Sequence, residues 1–239
     1  MQEHVDYFES GSGKTIILLP SLWLTSNSFY SLARKLAKRY QVIVPDLFRG
    51  KSKYENNAIT INDYVKGLNS FITEKEIKDF YLIGVSFSGF IAANYVQKYP
   101  SNIERLFLVS TSPIPLYLKW KWWGFIWGYV KLFFHNIYSL KGIAINLLWF
   151  RDGLEYLFKH PKQFICDALI ITRDYDHQIL LMNIPTKLLF AKKDEFIPFK
   201  FMDKIRKINN LEVEVIDGYH GWFFQNEELL VKKIFDFFK

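Results

Sequence analysis

The chain has 239 residues, enough for one globular domain with a sizeable core, and at 50% hydrophobic and 23% charged it is no disordered segment. Its net charge of +7 comes without any nucleic-acid-binding motif, so the basic balance is read as favouring anionic surfaces or substrates over nucleic acid. The single cysteine, Cys166, excludes an intrachain disulfide and a cysteine-based metal cluster and fits a reducing compartment, the cytoplasm; the opening MQEHVDYFES has no charged-then-apolar leader.

Thr15 to Leu19 is an apolar run expected as a short buried strand. Just before it, Ser10-Gly11-Ser12-Gly13-Lys14-Thr15 ends like a phosphate-binding loop. Such a loop needs a glycine where this chain has Phe8, and its lysine should open a helix rather than a strand, so a hairpin turn is expected instead. Asn27 to Tyr40 carries Phe29, Leu32 and Leu36 at helical spacing, and Gln41 to Pro45 reads as a second strand. Ile61, Val65, Leu68 and Ile72 mark a helix over Ile61 to Glu74.

Phe80 to Ile83 is an apolar strand that runs into Gly84-Val85-Ser86-Phe87-Ser88-Gly89 and on into a helix ending at Tyr99-Pro100. Small residues two before, two after and three after Ser86 let a strand turn abruptly into a helix, pushing one hydroxyl out at the top of a sheet. A serine at a helix start can also be a plain N-cap. The strand before and the helix after favour a nucleophile. Only Ser86 has small residues at both −2 and +2, so Ser88 is read merely as a small residue in the turn.

Strands are then expected at Ile103 to Val109, Thr186 to Phe190 and Glu212 to Ile216, with helices at Phe199 to Ile208 and Glu227 to Phe238. This alternation predicts an α/β fold, a mostly parallel central sheet flanked by helices on both faces, with ligands at the carboxyl ends of the strands. The long break between Ser110 and Asn183 falls between two strands. It is read as a helical cap, residues 112–183, inserted within a single domain of residues 1–239.

A serine hydroxyl needs a base to take its proton. Of His4, His135, His160, His177 and His220, only His220 follows the last strand, in a loop at the same sheet edge as Ser86. A histidine base needs a carboxylate to hold its tautomer. Asp194 lies in the loop after the strand at Thr186, with Glu195 and Asp217 as competitors. The candidates therefore run Ser86, Asp194, His220.

That order, with the turn at Ser86, resembles the α/β-hydrolase fold family of serine hydrolases. Phe8 to Gly13 resembles the family's opening hairpin, and Pro45-Asp46-Leu47-Phe48-Arg49-Gly50-Lys51-Ser52 resembles its Pro-Asp-Leu…Gly-x-Ser loop. The resemblance implies Ser86 as nucleophile, Asp194 as acid and His220 as base. It also implies an oxyanion hole from the backbone N–H groups of Leu22 and Phe87, and needs no cofactor or metal. One departure is visible: Leu19-Pro20-Ser21-Leu22-Trp23 stands where the family has His-Gly. The expected activity is hydrolysis of a carboxylic ester with an apolar acyl or alkyl portion. Acyl transfer, carbon–carbon bond hydrolysis or lysis, and a non-catalytic binder of lipophilic ligands are the alternatives on the same fold.

From Arg105 to Arg151 there is no acid, while Trp120, Trp122, Trp123, Trp127 and Trp149 crowd the segment with Lys119, Lys121, Lys131 and Lys141. Two readings stand: the aromatics pack the cap against the sheet, or they form a greasy lid that meets an anionic membrane. No uncharged run reaches the roughly 18–20 residues of a spanning helix. The expected partners are a small ester substrate and an anionic membrane surface, with no nucleic acid.

Overall fold

The computed structural model describes residues 6–47, 60–114, 121–172 and 183–239. His4, Phe48 to Ser52, Trp120 and His177 lie outside the described residues.

Among the described residues seven strands form one sheet: β1 (Tyr7–Ser10), β2 (Thr15–Leu19), β3 (Gln41–Pro45), β4 (Phe80–Val85), β5 (Ile103–Val109), β6 (Thr186–Ala191) and β7 (Leu211–Ile216), in the order β1-β3-β2-β4-β5-β6-β7. Every pairing is parallel except β1 with β3. The fold is the mostly parallel, helix-flanked α/β sheet expected from the alternation. The β2, β4 and β6 strands and the Leu106 to Val109 part of β5 are mostly apolar and almost wholly buried, as a sheet covered on both faces requires.

The hairpin expected at Ser10 to Thr15 is corrected. β1 pairs with β3 and not with β2, because β2 already has β3 and β4 as neighbours and only the outer edge of β3 is open. The chain leaves β1 through Gly11 at φ +85°, where a Cβ would lie 2.1 Å from the Tyr40 carbonyl oxygen. Only glycine can pass that corner.

Helices α2 (Ile61–Glu74) and α3 (Phe87–Lys98) bury Leu68, Phe71, Ile91 and Val96 in a core on one face of the sheet. On the other face α1 (Tyr30–Leu36), α8 (Trp222–Gln225) and α9 (Glu227–Phe237) bury Leu32, Phe223 and Ile234. The helix read at Phe199 to Ile208 is shorter, a 3₁₀ turn at Phe199–Phe201 followed by α7 (Met202–Ile205). Between β5 and β6 stand α4 (Lys121–Asn136), α5 (Leu140–Lys159) and α6 (Pro161–Thr172), which pack on one another.

The strand order reverses between β3 and β4, on either side of β2. The crevice at such a switch point opens above the carboxyl ends of β2 and β4, whose Leu19 and Gly84 are paired. The loops after β6 and β7 leave the same edge, from the paired Ala191 and Ile216.

Candidate active site

Ser86 follows β4 and has φ +55° and ψ −123°, a backbone conformation that L residues avoid. Its N–H donates to the Val109 carbonyl at 2.8 Å, and its carbonyl accepts the Gly89 N–H at 3.0 Å, so both sides of the turn are tied down. The small residues around it are required by contact. A Cβ on Gly84 would lie 2.6 Å from Gly89 Cα, and one on Gly89 would lie 2.5 Å from the Thr111 side chain. The strand and helix approach so closely that the turn has room for one projecting side chain, Ser86.

Ser86 Oγ lies 2.8 Å from His220 Nε2, and His220 Nδ1 lies 2.8 Å from Asp194 Oδ2. Asp194 Oδ1 also accepts the N–H groups of Phe196 and Ile197, each at 2.9 Å, which fixes the carboxylate. His220 is buried. Burial opposes its charged form, but the Asp194 carboxylate, by charge and hydrogen bond, and the charge of Glu195 outweigh it, so the ring titrates above its ordinary range.

The competing acids go elsewhere. Glu195 Oε2 accepts the backbone N–H of His220 at 2.8 Å, and its Oε1 lies 2.7 Å from His135 Nδ1 on α4. Asp217 is exposed and pairs with Lys193 at 3.2 Å. His160 is near Tyr156, its ring 5.3 Å away, rather than at the site.

Leu22 is buried in the loop after β2, and Phe87 opens α3 beside Ser86. That loop is gripped at several points. Ser88 donates its hydroxyl to the Pro20 carbonyl, so it is more than a small residue: it ties the start of α3 to the loop holding Leu22. Two carboxylates from the helices between β5 and β6 hold the rest. Asp152 accepts Thr25 N–H at 3.3 Å and Thr25 Oγ1 at 3.1 Å. Asp167 accepts the Trp23 indole N–H at 3.2 Å, Gln163 Nε2 at 2.9 Å, Tyr156 OH at 3.1 Å and Tyr64 OH. Burial raises the Asp167 carboxyl above its ordinary range even against these donors, and raises Tyr64 well above its own.

Trp23 itself has φ +59°, a strained position for a bulky residue, and stacks on Phe164 of α6 with centroids 4.0 Å apart. Aromatic side chains continue towards His220. Phe196 meets His220 edge-on at 4.8 Å, Phe125 and Tyr129 of α4 lie against Phe196, and Gly128 passes so close that a Cβ would sit 2.6 Å from the Phe196 ring. The contacts of Asp167 with the loop after β2, and of Glu195 with the His220 backbone, are not expected from the sequence. Asp167 did carry a signal, a lone acid within the apolar run Phe164-Ile165-Cys166-Asp167-Ala168-Leu169-Ile170.

Among the described residues no group of histidine, cysteine and acidic side chains is arranged to hold a metal ion.

Comparison with known proteins agrees with this architecture. An uncharacterized protein of Mycobacterium tuberculosis is 28% identical over 106 residues, 44% of this chain, but the match spans only 31% of that relative's length. A human monoacylglycerol lipase is 20% identical over 95% of this chain and 76% of its own. Among solved structures, an esterase from a marine microorganism superposes with a TM-score of 0.75 at 15% identity, covering 99% of this chain and 100% of that one. Residues 14–142, from β2 to the start of α5, match the family described as the alpha/beta hydrolase fold. With the strand order and the sharp turn at Ser86, that match settles the family: the chain belongs to the alpha/beta hydrolase fold family.

Proposed function

We propose that the protein is a serine hydrolase that cleaves a carboxylic ester with an apolar acyl or alkyl portion through an acyl-enzyme. The observation that carries this reading is the unbroken chain of contacts Ser86 Oγ–His220 Nε2 and His220 Nδ1–Asp194 Oδ2, each 2.8 Å, ending at a strained Ser86.

In the proposed reaction His220 Nε2 takes the Ser86 proton as Oγ attacks the ester carbonyl. The resulting oxyanion is held by the N–H groups of Leu22 and Phe87. Asp194 keeps the other imidazole proton on Nδ1 and stabilises the imidazolium. His220 then passes the captured proton to the leaving alkoxide, which departs as the alcohol and leaves the acyl group on Ser86. A water deprotonated by His220 attacks that acyl group, releasing the acid and restoring Ser86. The helices between β5 and β6 act as a cap in this reading, and the aromatic wall of Phe196, Phe125, Tyr129 and Trp23 favours an apolar substrate portion. The monoacylglycerol lipase name borne by one relative points the same way.

The test is turnover of a short-chain nitrophenyl ester together with labelling by a fluorophosphonate. Wild-type protein should hydrolyse the ester and take the label on Ser86, and Ser86→Ala should do neither. Full activity in Ser86→Ala would overturn the reading. Adding an alcohol acceptor to the assay separates hydrolysis from acyl transfer by the product formed.

A further inference from the structure

The helices α4, α5 and α6 are apolar on their outer faces as well as on their inner ones. Apart from Tyr30 and Phe199, every large hydrophobic side chain that is exposed among the described residues lies between Trp123 and Ile165. On α5, Leu140, Ile143, Leu147, Phe150 and Phe158 recur at helical spacing along the outer face, with Leu140 89% and Phe158 79% exposed. Eighteen residues at 1.5 Å each make this stripe about 27 Å long. On α4, Trp123, Trp127 and Phe134, with Tyr138 just beyond it, form a second stripe at intervals of four, seven and four residues, all exposed.

The inward faces bury Leu132, Ile145, Tyr156 and Ile170, and with them a set of polar groups. Asn136, Asn146, Asp152, Gln163 and Asp167 are buried. Asn136 and Asn146 meet between α4 and α5: Asn136 Nδ2 donates to Asn146 Oδ1 at 2.9 Å, Asn146 Nδ2 to the Phe133 carbonyl at 3.0 Å, and Gln225 Nε2 to Asn136 Oδ1 at 2.8 Å. Water-facing helices carry polar residues on the outer face. Polar contacts between helices with apolar residues outward is the arrangement found where the surroundings are hydrocarbon.

Charge identifies the surroundings. Lys131, Lys141 and Lys162 lie exposed among these apolar residues, as do Arg151 and Lys159, which pair with Asp152 and Glu155. Of the acids on the three helices, Asp152 and Asp167 are buried, and Glu155 is paired with Lys159 at 2.8 Å. A second copy of this chain would bring the same positive charges against them. A surface of anionic lipid would neutralise them while accepting the apolar stripes. No helix among the described residues is long and apolar enough to cross a membrane, so the contact lies along the surface.

We propose that the outer faces of α4 and α5 dock the protein on an anionic lipid bilayer, with the apolar stripes in the acyl boundary and the lysines at the headgroups. The docking rests on the hydrolase reading only for its purpose, which is to bring an apolar ester from the bilayer to Ser86.

The experiment is flotation of the full chain with vesicles of equimolar phosphatidylcholine and phosphatidylglycerol, against pure phosphatidylcholine. Wild-type protein should bind the anionic vesicles more tightly. Leu147→Ser with Phe150→Ser, at two exposed positions, should weaken that binding by about tenfold or more while leaving the melting temperature and short soluble-ester turnover unchanged. Lys131→Glu with Lys162→Glu should abolish the preference for anionic vesicles. Absence of wild-type binding, wild-type binding by the serine variant, or a wild-type dimer that the serine variant dissolves in light scattering would each overturn the docking. Vesicle binding by a protein that hydrolyses no ester would instead overturn the hydrolase reading and leave the docking standing.

Discussion

The indole N–H of Trp23 donates to the Asp167 carboxylate at 3.2 Å, joining the loop after β2 to a helix 144 residues further along the chain. Trp23 follows Leu22, whose N–H is the proposed oxyanion donor, and it is held at φ +59°. Such a residue costs about 1–3 kcal/mol and persists only when its surroundings fix it. Here the stack on Phe164 and the bond to Asp167 do so. The departure from His-Gly in this loop is thus accompanied by an anchor from the helices between β5 and β6.

That anchor separates positioning from folding. Trp23→Phe keeps the ring stack but deletes the indole donor. It should lower kcat for a soluble ester by roughly tenfold with KM little changed, because a misplaced oxyanion donor is felt in the transition state. Asp167→Ala leaves several buried donors without an acceptor and should also cost about 1–3 kcal/mol of stability or more. Steady-state kinetics beside thermal melts distinguish the two. Unchanged kcat in Trp23→Phe would show that the indole bond does not position the loop.

Ser86 carries a cost in stability. Glycine accepts φ +55° freely, so Ser86→Gly relieves about 1–3 kcal/mol of strain against a chain-entropy cost of about 0.5–1 kcal/mol. The net is a gain of about 1 kcal/mol, which raises the melting temperature by roughly 2–4 °C in a chain this size while turnover is lost. A lower melting temperature in Ser86→Gly would contradict the strain.

Protonated His220 cannot accept the Ser86 proton, so the rate must fall on the acid side as the ring titrates. Because Asp194 and Glu195 raise that titration against burial, the acid limb of kcat/KM should have its midpoint above the ordinary histidine value of about 6.5. Asp194→Asn removes the largest raising influence and leaves burial, which lowers it. The limb should then shift to lower pH, and the plateau should fall by roughly 10³–10⁴-fold. A pH–rate profile whose limb stays put in Asp194→Asn would exclude this electrostatic role.

Gly128 of α4 and Phe196 leave no room between them. Gly128→Ala should displace the Phe196 ring from the edge of His220 and cost about 1–3 kcal/mol of overpacking. The readout is a lowered kcat/KM together with a lowered melting temperature. Wild-type values for both would mean that α4 shifts freely over the Asp194 loop.

Most of the architecture and the three candidate groups could be read in the chain because their signals are local. β2, β4, β5 and β6 are bounded apolar runs, and Gly84, Ser88 and Gly89 mark the turn around Ser86. Parallel strands send their carboxyl ends to one edge, so the loops holding Ser86, Asp194 and His220 had to emerge together. Adjacent carboxylates are harder to tell apart in sequence. Asp194 and Glu195 differ by one position, yet one meets the ring of His220 and the other its backbone N–H, a matter of loop geometry.

The amino-acid order by itself determined the alternation, the sharp turn at Ser86 and the lone acid within α6, since periodicity and small-residue spacing act within a few residues. Tertiary structure alone decided that β1 joins β3, that Ser88 binds Pro20, that Asp167 holds Trp23, and that the apolar faces of α4 and α5 point outward. Each of those outcomes depends on which distant groups are left to fill a strand edge, a hydrogen bond or a buried face once the sheet has closed, and no local pattern encodes that.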